Sequence, residues 1–408
     1  MTERRPDPPR SARVALLLGI FTGLSGVAVL PFAASDQFML ASDVYRHAAD
    51  AMLAGENFYA VSPPRLPGYE FIYPPVVILL FVPHAVLGTA GGSYAIQTVL
   101  NVVFAAGTTV VIARALGRRG VAVSRLDLAL IAGFALLSAH SAITVINGQV
   151  TIWLGFAFAL GFHALDGNRE ALAGVAFAAA ALLKVFPAAI GLWLLRCRAS
   201  RAVVAATLTG LGGLALGAVV LGPDTTATYI QDVLLERYEG QTFDGRPAPD
   251  QTVGGVQRQF AALTGFGSPA IAVLGLLVVS PLVATLYRRV GSDLRRQTAV
   301  LGTIIGVLLA VPLQRLYMPL LIFPLVVLLY TLPRGRPRTV LLGGTLLSFA
   351  RLEYALAISI IETLPLPSVV ESVSVTATEA LYTFVLPTTL GMWLVLVACL
   401  LVHIDPAA

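Results

Sequence analysis

The segment "AALLKVFPAA" (residues 180–189) contains Lys184, which is the only lysine in the 408-residue chain. An apolar run from about 170 to 195 surrounds this lysine. Ionisable side chains at membrane depth are rare and usually functional. Pro187 removes a backbone donor and disfavours helix at the residue before it. The sequence therefore predicts two short helices that meet at a break around Lys184, rather than one membrane crossing.

The composition is that of a membrane protein. Hydrophobic residues make up 57% of the chain and charged residues only 12%, whereas soluble domains carry about 25% charged residues. Many apolar runs are long enough to cross a hydrocarbon layer of roughly 30 Å. We expect an all-α polytopic membrane protein with about 10–12 transmembrane helices. The runs lie at about 14–34, 93–116, 126–146, 148–166, 170–195, 201–222, 268–287, 298–313, 316–332, 339–360 and 381–402.

The first run is interpreted as a retained helix rather than a signal peptide, because no clear cleavage site follows it. The segment "YPPVVILLFVPHAVLG" (73–88) is short and interrupted by prolines, and we interpret it as interfacial or re-entrant. With this choice the positive-inside rule places the basic clusters on the cytoplasmic side. These clusters are Arg4, Arg5, Arg10 and Arg13; Arg114, Arg118, Arg119 and Arg125; Arg196, Arg198 and Arg201; Arg288, Arg289, Arg295 and Arg296; and Arg334, Arg336 and Arg338.

The resulting topology predicts one integral-membrane domain over residues 1–408 with both termini in the cytoplasm. Residues 1–13 form a cytoplasmic tail, and the two large outer loops cover about 35–92 and 223–267, with interfacial helices in the first. The expected location is the plasma (cytoplasmic) membrane, with the active site on its outer face.

Two outer-face residues are candidates for chemistry. Asp43 lies just past the first apolar run, where a carboxylate could act as general base on a hydroxyl; the alternative is a helix N-cap or a solvated acid. Lys184 is a compact positive charge that suits a phosphate; the alternative is a side chain that snorkels to the interface.

Two arginines are further candidates for anion binding. Arg315 lies between two apolar runs with almost no loop, so a bidentate phosphate contact and a structural ion pair are both open. Arg258 follows the turn at Gly254–Gly255 in the second outer loop.

Several classes of function are disfavoured. The chain contains no Walker loop, dinucleotide fingerprint, HExxH motif or Cys/His metal cluster, so we expect no cofactor and no metal site. Topology accounts for the basic residues, so nucleic acid is not an expected partner. Cys197 and Cys399 fit no metal or disulfide pattern.

A set of motifs resembles a known enzyme family. They are "D-x-Y" at Asp43–Tyr45, "AADAMLAGENFY" (48–59), "FIYPP" (71–75), "NGQ" (147–149), "LAGVAFAAAALLKVFP" (172–187), "DQTVGGVQR" (250–258) and "LLAVPLQRLYMPLLIFPL" (308–325). In order and spacing they resemble a polyprenyl-phosphate-sugar-dependent integral-membrane glycosyltransferase of the GT-C type. The resemblance is to glycosyltransferase family 87, which includes bacterial mannosyltransferases.

The resemblance implies an inverting hexosyl transfer on the outer face. The donor is a polyprenyl-phosphate sugar, with mannose favoured, and the acceptor is a glycolipid or glycan. Asp43 is the implied general base, and Lys184, Arg315 and Arg258 are the implied contacts of the lipid phosphate. Many relatives carry histidine where this chain has "LQRLY", so phosphate binding is expected to use Arg315, and the identity of the acceptor and sugar stays open. Weaker candidates for sugar or acceptor binding are Tyr45, Tyr73, Asn147, Gln149, Gln251, Gln314 and Tyr317.

Two other readings remain open at this point. A transporter or lipid flippase also carries intramembrane charges, but such proteins often contain repeated broken helices, and the Lys-x-x-Pro break occurs once. A non-catalytic membrane scaffold gives no reason for Asp43, Lys184 and Arg315 to collect on one side.

Overall fold

The computed structural model describes residues 9–235, 243 and 245–404. Within these ranges the chain forms nineteen α-helices, and its only extended pairing is an isolated bridge between Gly254 and Leu313. The prediction of an all-α polytopic membrane protein is confirmed. Residues 1–8 of the predicted tail, and 236–242 and 244 of the second predicted outer loop, lie outside the described residues.

Five of the described helices are long and apolar enough to cross a membrane. They are Arg10–Ala33, Ala90–Arg118, Ser200–Leu221, Ala270–Arg288 and Pro387–Ile404. Six shorter apolar helices accompany them. The number of crossings and their orientation stay predictions.

The chain divides into two compact units. The first unit comprises residues 1–240 and 318–330, and the second comprises 241–317 and 331–408. The interpretation of residues 1–408 as a single functional domain stays a prediction.

The first unit contains α1 to α11. Its central packing pairs α8 with α7 and α10, and α4 with α5 and α7. Short 3-10 helices cover Ser35–Gln37, Pro75–Phe81 and Phe186–Ile190, and a π-helical turn covers Tyr229–Leu235. The helices are α1 Arg10–Ala33, α2 Leu40–Leu53, α3 Val82–Val86, α4 Ala90–Arg118, α5 Arg125–Leu137, α6 Ala142–Asn147, α7 Thr151–Asp166, α8 Glu170–Leu183, α9 Gly191–Arg196, α10 Ser200–Leu221 and α11 Pro223–Thr228.

The second unit contains most of the remaining helices. Its main packing pairs α16 with α19, α13 with α14, and α14 with α19. A 3-10 helix at Arg315–Leu321 precedes α15, and residues 318–330 of this stretch belong to the first unit. The remaining helices in chain order are α12 Val256–Thr264, α13 Ala270–Arg288, α14 Asp293–Ala310, α15 Ile322–Thr331, α16 Arg336–Ser348, α17 Tyr354–Thr363, α18 Ser368–Phe384 and α19 Pro387–Ile404. All of them except α15 lie in the second unit; α15 belongs to the first unit up to residue 330.

The predicted break at the lysine is confirmed. Helix α8 ends at Leu183, and Lys184 has an extended backbone with φ −151° and ψ 131°. The chain then turns through the 3-10 helix Phe186–Ile190, which has Pro187 in its first turn, and continues into α9. Pro187 causes the break because its ring prevents α-helix from continuing through this point.

The apolar run at 126–146 does not form one continuous helix. Helix α5 ends at Leu137 and α6 begins at Ala142. In the break, the Ala139 N–H donates to the Gly19 carbonyl of α1 at 2.8 Å. At Gly23 of α1, a Cβ would lie 1.9 Å from the Leu137 oxygen. Because these glycines lack side chains, the backbone of α1 can approach the break closely enough for the Ala139 N–H to find a hydrogen-bond partner.

The run at 339–360 is also not continuous. Helix α16 ends at Ser348 and α17 begins at Tyr354. The intervening residues include Arg351 and Glu353. The Tyr382 hydroxyl donates to the Leu352 carbonyl at 2.8 Å, so a backbone oxygen freed by the break is satisfied within the unit.

Candidate functional site

Helix α2 is held against its neighbours at its first turn. The Met39 N–H donates to the Ile146 carbonyl at 2.9 Å, and Met39 itself takes a left-handed backbone with φ 60°. The Ser93 hydroxyl of α4 donates to the Ser42 carbonyl at 2.6 Å. These bonds fix the position of the next residue of the helix, Asp43.

Asp43 is a buried acid between two arginines. Only 2% of the residue is exposed. Its Oδ1 accepts from Arg46 Nη2 at 2.9 Å and Arg46 Nε at 3.2 Å, and its Oδ2 accepts from Arg65 Nε at 2.8 Å. His47 Nδ1 lies 3.5 Å from Oδ1. Asp43 is therefore neither an N-cap nor a solvated acid, because α2 begins at Leu40.

The arginines set the charge state of this acid. Burial by itself raises the pKa of Asp43, but the hydrogen bonds from Arg65 and Arg46, with the charges of Arg46 and His47, outweigh burial. The net pKa of Asp43 lies below its usual 3.8. The carboxylate is therefore charged at neutral pH and ready to accept a proton, although both of its oxygens already have partners.

Two tyrosines and a glutamine form a polar cluster on another side of α2. The hydroxyls of Tyr45 and Tyr73 lie 2.8 Å apart, and both are close to Gln149 Oε1, at 2.9 Å and 3.2 Å respectively. Tyr45 and Tyr73 are 2% and 1% exposed. Burial raises the pKa of Tyr45 well above 10, so its hydroxyl stays protonated. The cluster joins α2, the "FIYPP" stretch and the "NGQ" turn.

Lys184 reaches the same cluster from the break after α8. Its Nζ lies 5.2 Å from the centroid of the Tyr73 ring, which is within range for a cation–π interaction. The residue is partly exposed. The first unit therefore brings together four predicted site residues, Lys184, Tyr73, Tyr45 and Gln149, beside the helix that carries Asp43.

The "NGQ" turn has its own constraints. Gly148 has φ 65°, a left-handed backbone that glycine adopts without strain, and a Cβ at this position would lie 2.8 Å from the Ser42 side chain. Asn147 is 5% exposed, and its Oδ1 is a buried acceptor that has no hydrogen-bond partner in the part of the chain that the structure describes. Gln97 Nε2 of α4 donates to the Gln149 carbonyl at 3.1 Å, which fixes the end of the turn.

Sequence reasoning missed Arg46, Arg65, Gln97 and His84. Arg46 is three residues after Asp43, a helical spacing at which side chains meet, so it was detectable. Arg65 is a basic residue in a predicted outer loop, where such residues are sparse. Gln97 and His84 are both fully buried, and His84 Nε2 lies 3.2 Å from Gln97 Oε1. In the sequence, a polar pair within apolar segments is a weaker indication of a functional site than a charged residue at helical spacing.

In the second unit Arg258 is bound by the backbone. It is 0% exposed, and its five N–H groups all donate to main-chain carbonyls. Burial lowers the pKa of Arg258 to about 10, with an opposing effect from Asp250, so it stays charged at neutral pH. The accepting carbonyls are those of Tyr382, Gln251, Val253 and Ala248. No donor is left for a phosphate in this arrangement.

Of the other predicted residues of this unit, Arg315 and Tyr317 lie in the 3-10 helix Arg315–Leu321, and Gln314 directly precedes it. Arg315 Nη1 donates to Glu353 Oε1 at 3.2 Å, and the Arg315 side chain is 27% exposed. Tyr317 is buried, and its N–H donates to the Gln314 carbonyl at 3.1 Å. Gln251 contributes its carbonyl to Arg258. Arg315 therefore has the ion pair that the sequence left open, with part of its guanidinium still accessible.

Among the described residues, no group of three or more His, Cys, Asp or Glu side chains is arranged to hold a metal ion.

Comparison with known families gives one match. The sequence fits the family model described as glycosyltransferase family 87 over residues 71–319, which is more than half of the chain. Tyr73, Gln149 and Lys184 lie inside the matched range, whereas Asp43 and Tyr45 precede it. Among curated proteins, none matches the chain.

Proposed function

The chain belongs to glycosyltransferase family 87 and is a glycosyltransferase, and on that premise we propose that its donor is a polyprenyl-phosphate sugar, with mannose as the first candidate. The acceptor is a glycolipid or glycan hydroxyl. Transfer takes place on the outer face of the plasma membrane. The transporter and scaffold readings have no support from the family match.

One observation carries this proposal. Lys184 contacts the ring of Tyr73, and the Tyr73 hydroxyl bonds that of Tyr45, which lies two residues from Asp43 on α2. A cation suited to phosphate and a charged carboxylate suited to proton abstraction are thus carried by packed elements of one unit. The reaction needs these two groups, one for each side of the anomeric carbon.

The proposed reaction is a single displacement. The acceptor oxygen forms a bond to the anomeric carbon while the bond from that carbon to the phosphate oxygen breaks. The electron pair of the broken bond stays on the phosphate, and the acceptor proton passes to Asp43. The products are an inverted glycoside and a polyprenyl phosphate. Asp43 then releases its proton to water.

Lys184 acts on the leaving group. The phosphate gains negative charge as the bond to the sugar breaks, so a fixed ammonium stabilises the transition state more than the bound donor. The nearby ring of Tyr73 holds the ammonium without neutralising it. Because phosphate is already a good leaving group when it contacts a cation, the proposal needs no metal.

The second unit supplies one further candidate. Arg315 keeps part of its side chain accessible beside Glu353, and we retain it as a proposed anion contact. We propose a structural role for Arg258, because its donors are all engaged by carbonyls. Tyr45, Tyr73 and Gln149 are proposed to shape the sugar or acceptor pocket.

The test is transfer of radiolabelled mannose from polyprenyl-phosphate mannose in membranes that contain the full-length protein. Wild type is compared with Asp43→Asn and Lys184→Ala. We expect Asp43→Asn to abolish transfer while donor binding survives, and Lys184→Ala to weaken donor binding. Asp36→Asn is the matched control, because Asp36 is an exposed acid of the same predicted outer loop, where it accepts a hydrogen bond from Gln37.

The outcomes separate the parts of the proposal. Undiminished transfer by Asp43→Asn would eliminate the base assignment. Wild-type transfer from a polyprenyl-phosphate sugar other than mannose would change only the sugar. If transfer requires a nucleotide sugar instead, the donor class is wrong.

A further inference from the structure

We propose that Arg65 covers the Asp43 carboxylate in the empty enzyme and moves to the donor phosphate when the donor binds, which uncovers the base for the acceptor. This inference rests on the proposed function. Its starting point is a contradiction: the residue proposed as general base is charged, but neither of its oxygens is free.

The two arginines on Asp43 are held very differently. Arg46 lies on α2 itself, is 16% exposed at its side chain, and is held from its other side by Asp50 at 3.3 Å. Arg65 comes from the stretch 54–74, which forms turns and extended backbone between α2 and the 3-10 helix Pro75–Phe81. Its side chain is 41% exposed. Of the two, Arg65 is the one that solvent and ligands can reach.

The bonds made by Arg65 favour its release to an anion. Besides the Asp43 Oδ2 atom, its guanidinium donates, among the described residues, only to the Phe38 carbonyl, from Nη1 at 3.1 Å and Nη2 at 3.2 Å. A phosphate can accept two charge-assisted bonds from the guanidinium fork, whereas in the present arrangement only Nε donates to a charged oxygen and both Nη atoms share one neutral carbonyl. Arginine is well suited to exchange one oxyanion for another because its planar fork of donors fits carboxylates and phosphates alike.

The surrounding backbone allows this exchange without refolding. The neighbouring residue Leu66 is 4% exposed, and its N–H donates to the Pro63 carbonyl at 2.8 Å. The backbone at Arg65 is thus anchored, and only the long side chain has to move. Arg46 keeps Oδ1 throughout, so Asp43 remains oriented on α2 while Oδ2 becomes available.

This arrangement has two consequences for catalysis. An acceptor cannot reach the base before the donor is present, so binding is ordered with the donor first. The same movement removes one hydrogen bond that lowers the pKa of Asp43, so the carboxylate becomes a better base when the sugar is in place. The proton of the acceptor hydroxyl then passes to Oδ2, while the electron pair of the breaking bond passes to the phosphate that Arg65 contacts.

The experiment measures access to Asp43 directly. Full-length protein in detergent is labelled with a carbodiimide and glycine amide, with and without polyprenyl phosphate, and modification is measured by mass spectrometry. Asp36 and Asp50 serve as internal references, since both are exposed or nearly so. We expect polyprenyl phosphate to increase labelling of wild-type Asp43 several-fold relative to these references.

Variants of Arg65 provide the second arm. Arg65→Met keeps most of the side-chain length and should leave Asp43 labelled without ligand, and should weaken polyprenyl-phosphate binding by about tenfold. Arg65→Lys keeps the charge and should retain ligand-dependent labelling of Asp43. If Arg65→Met fails to fold, Arg65→Lys provides the test instead. Arg296→Met is the control, because Arg296 is an exposed arginine with an exposed partner, Asp293.

Two results would overturn the inference. One is wild-type labelling of Asp43 that polyprenyl phosphate leaves unchanged; the other is protection of Asp43 that persists in Arg65→Met. Neither result depends on turnover. If transfer still requires Asp43 in the membrane assay, only the covering role of Arg65 is wrong. If Asp43→Asn transfers normally, the base assignment is wrong, and if the wild type transfers from no polyprenyl-phosphate sugar, the proposed function itself is wrong.

Discussion

The ammonium of Lys184 lies 5.2 Å from the centre of the Tyr73 ring. Such a contact contributes roughly 0.5–2 kcal/mol, depending on how far water is excluded. The Tyr73 hydroxyl in turn lies 2.8 Å from that of Tyr45. The break after α8 and the first predicted outer loop are therefore coupled through one aromatic side chain.

Loss of the lysine charge should weaken the donor complex. We expect Lys184→Ala to raise the donor KM by about 10–100-fold, because a charge-assisted hydrogen bond contributes about 1.5–3 kcal/mol. It should also lower kcat, because the ammonium stabilises the transition state more than the bound donor. Lys184→Arg should recover part of this affinity, since it restores the charge. Transfer kinetics at varied donor concentration measure both. If Lys184→Ala and Lys184→Arg raise the donor KM equally and leave the acceptor KM normal, the site requires the shape of lysine rather than its charge.

The ring and the hydroxyl of Tyr73 should have separable effects. Tyr73→Phe keeps the ring beneath Lys184 but loses the bonds to Tyr45 and Gln149, so we expect a stability loss of about 1 kcal/mol with a nearly unchanged donor KM. Tyr73→Leu removes the ring as well and should raise the donor KM. Thermal unfolding in detergent and transfer kinetics provide the two readouts. Equal donor KM values for Phe and Leu would show that the ring does not position Lys184.

The turn that carries Gln149 should not tolerate a side chain at Gly148. Gly148→Ala combines a left-handed φ of 65° with a Cβ that would lie 2.8 Å from Ser42. We expect a loss of stability of about 1–3 kcal/mol together with reduced transfer, because the turn packs on the helix that carries Asp43. Circular dichroism melts in detergent measure the first effect.

Gly210→Ala is the control for this substitution. Gly210 lies within α10, and a Cβ there meets nothing within 4 Å. Alanine is also a better helix former than glycine, so this variant should be as stable as the wild type or more so. A similar loss in both variants would point to a general sensitivity of the protein to substitution.

Arg258 should matter for folding rather than for donor binding. Removing its guanidinium leaves the carbonyls of Tyr382, Gln251, Val253 and Ala248 without their buried donors, and unsatisfied buried groups cost about 1–3 kcal/mol each. We expect Arg258→Met to lower the yield and melting temperature strongly. Arg258→Lys should be intermediate. A folded Arg258→Lys protein with a raised donor KM would instead support the phosphate role.

The charge of Asp43 should appear as a pH-dependent part of the stability. Its pKa is lowered in the folded protein below 3.8, so its contribution is present above that pH and is lost as the pH falls through the lower folded value. The stability advantage of wild type over Asp43→Asn should therefore be constant at neutral pH and shrink only below 3.8. Melting temperatures at several pH values measure it.

Arg46, Arg65, His47 and Asp50 are present in both proteins, so these neighbours differ between the two proteins only through their coupling to Asp43. Asp50→Asn provides a control with a far more exposed acid on the same helix. If the advantage of wild type already disappears near neutral pH, Asp43 is not held in its charged form by the arginines.

The sequence did not allow the prediction of contacts between residues that are far apart along the chain. The break around Lys184 was predictable because Pro187 acts on its immediate neighbours. The break between α5 and α6 was not, because its cause is the close approach of Gly19 and Gly23 from another helix. The local signal within residues 126–146 is the polar stretch Ser138–Ser141, which does not by itself require a break.

The sequence by itself determined the helical membrane class and the break at the lysine, and it predicted candidate residues for phosphate binding and proton transfer. These depend on composition and on rules that act over a few residues. Only the tertiary structure decided what those residues touch. It placed Arg65 on Asp43 across 22 positions, and tied Arg258 to Tyr382 across 124. The reason is physical: hydrogen-bond partners and burial depend on which elements pack together, and the order of residues specifies that packing only through the whole fold.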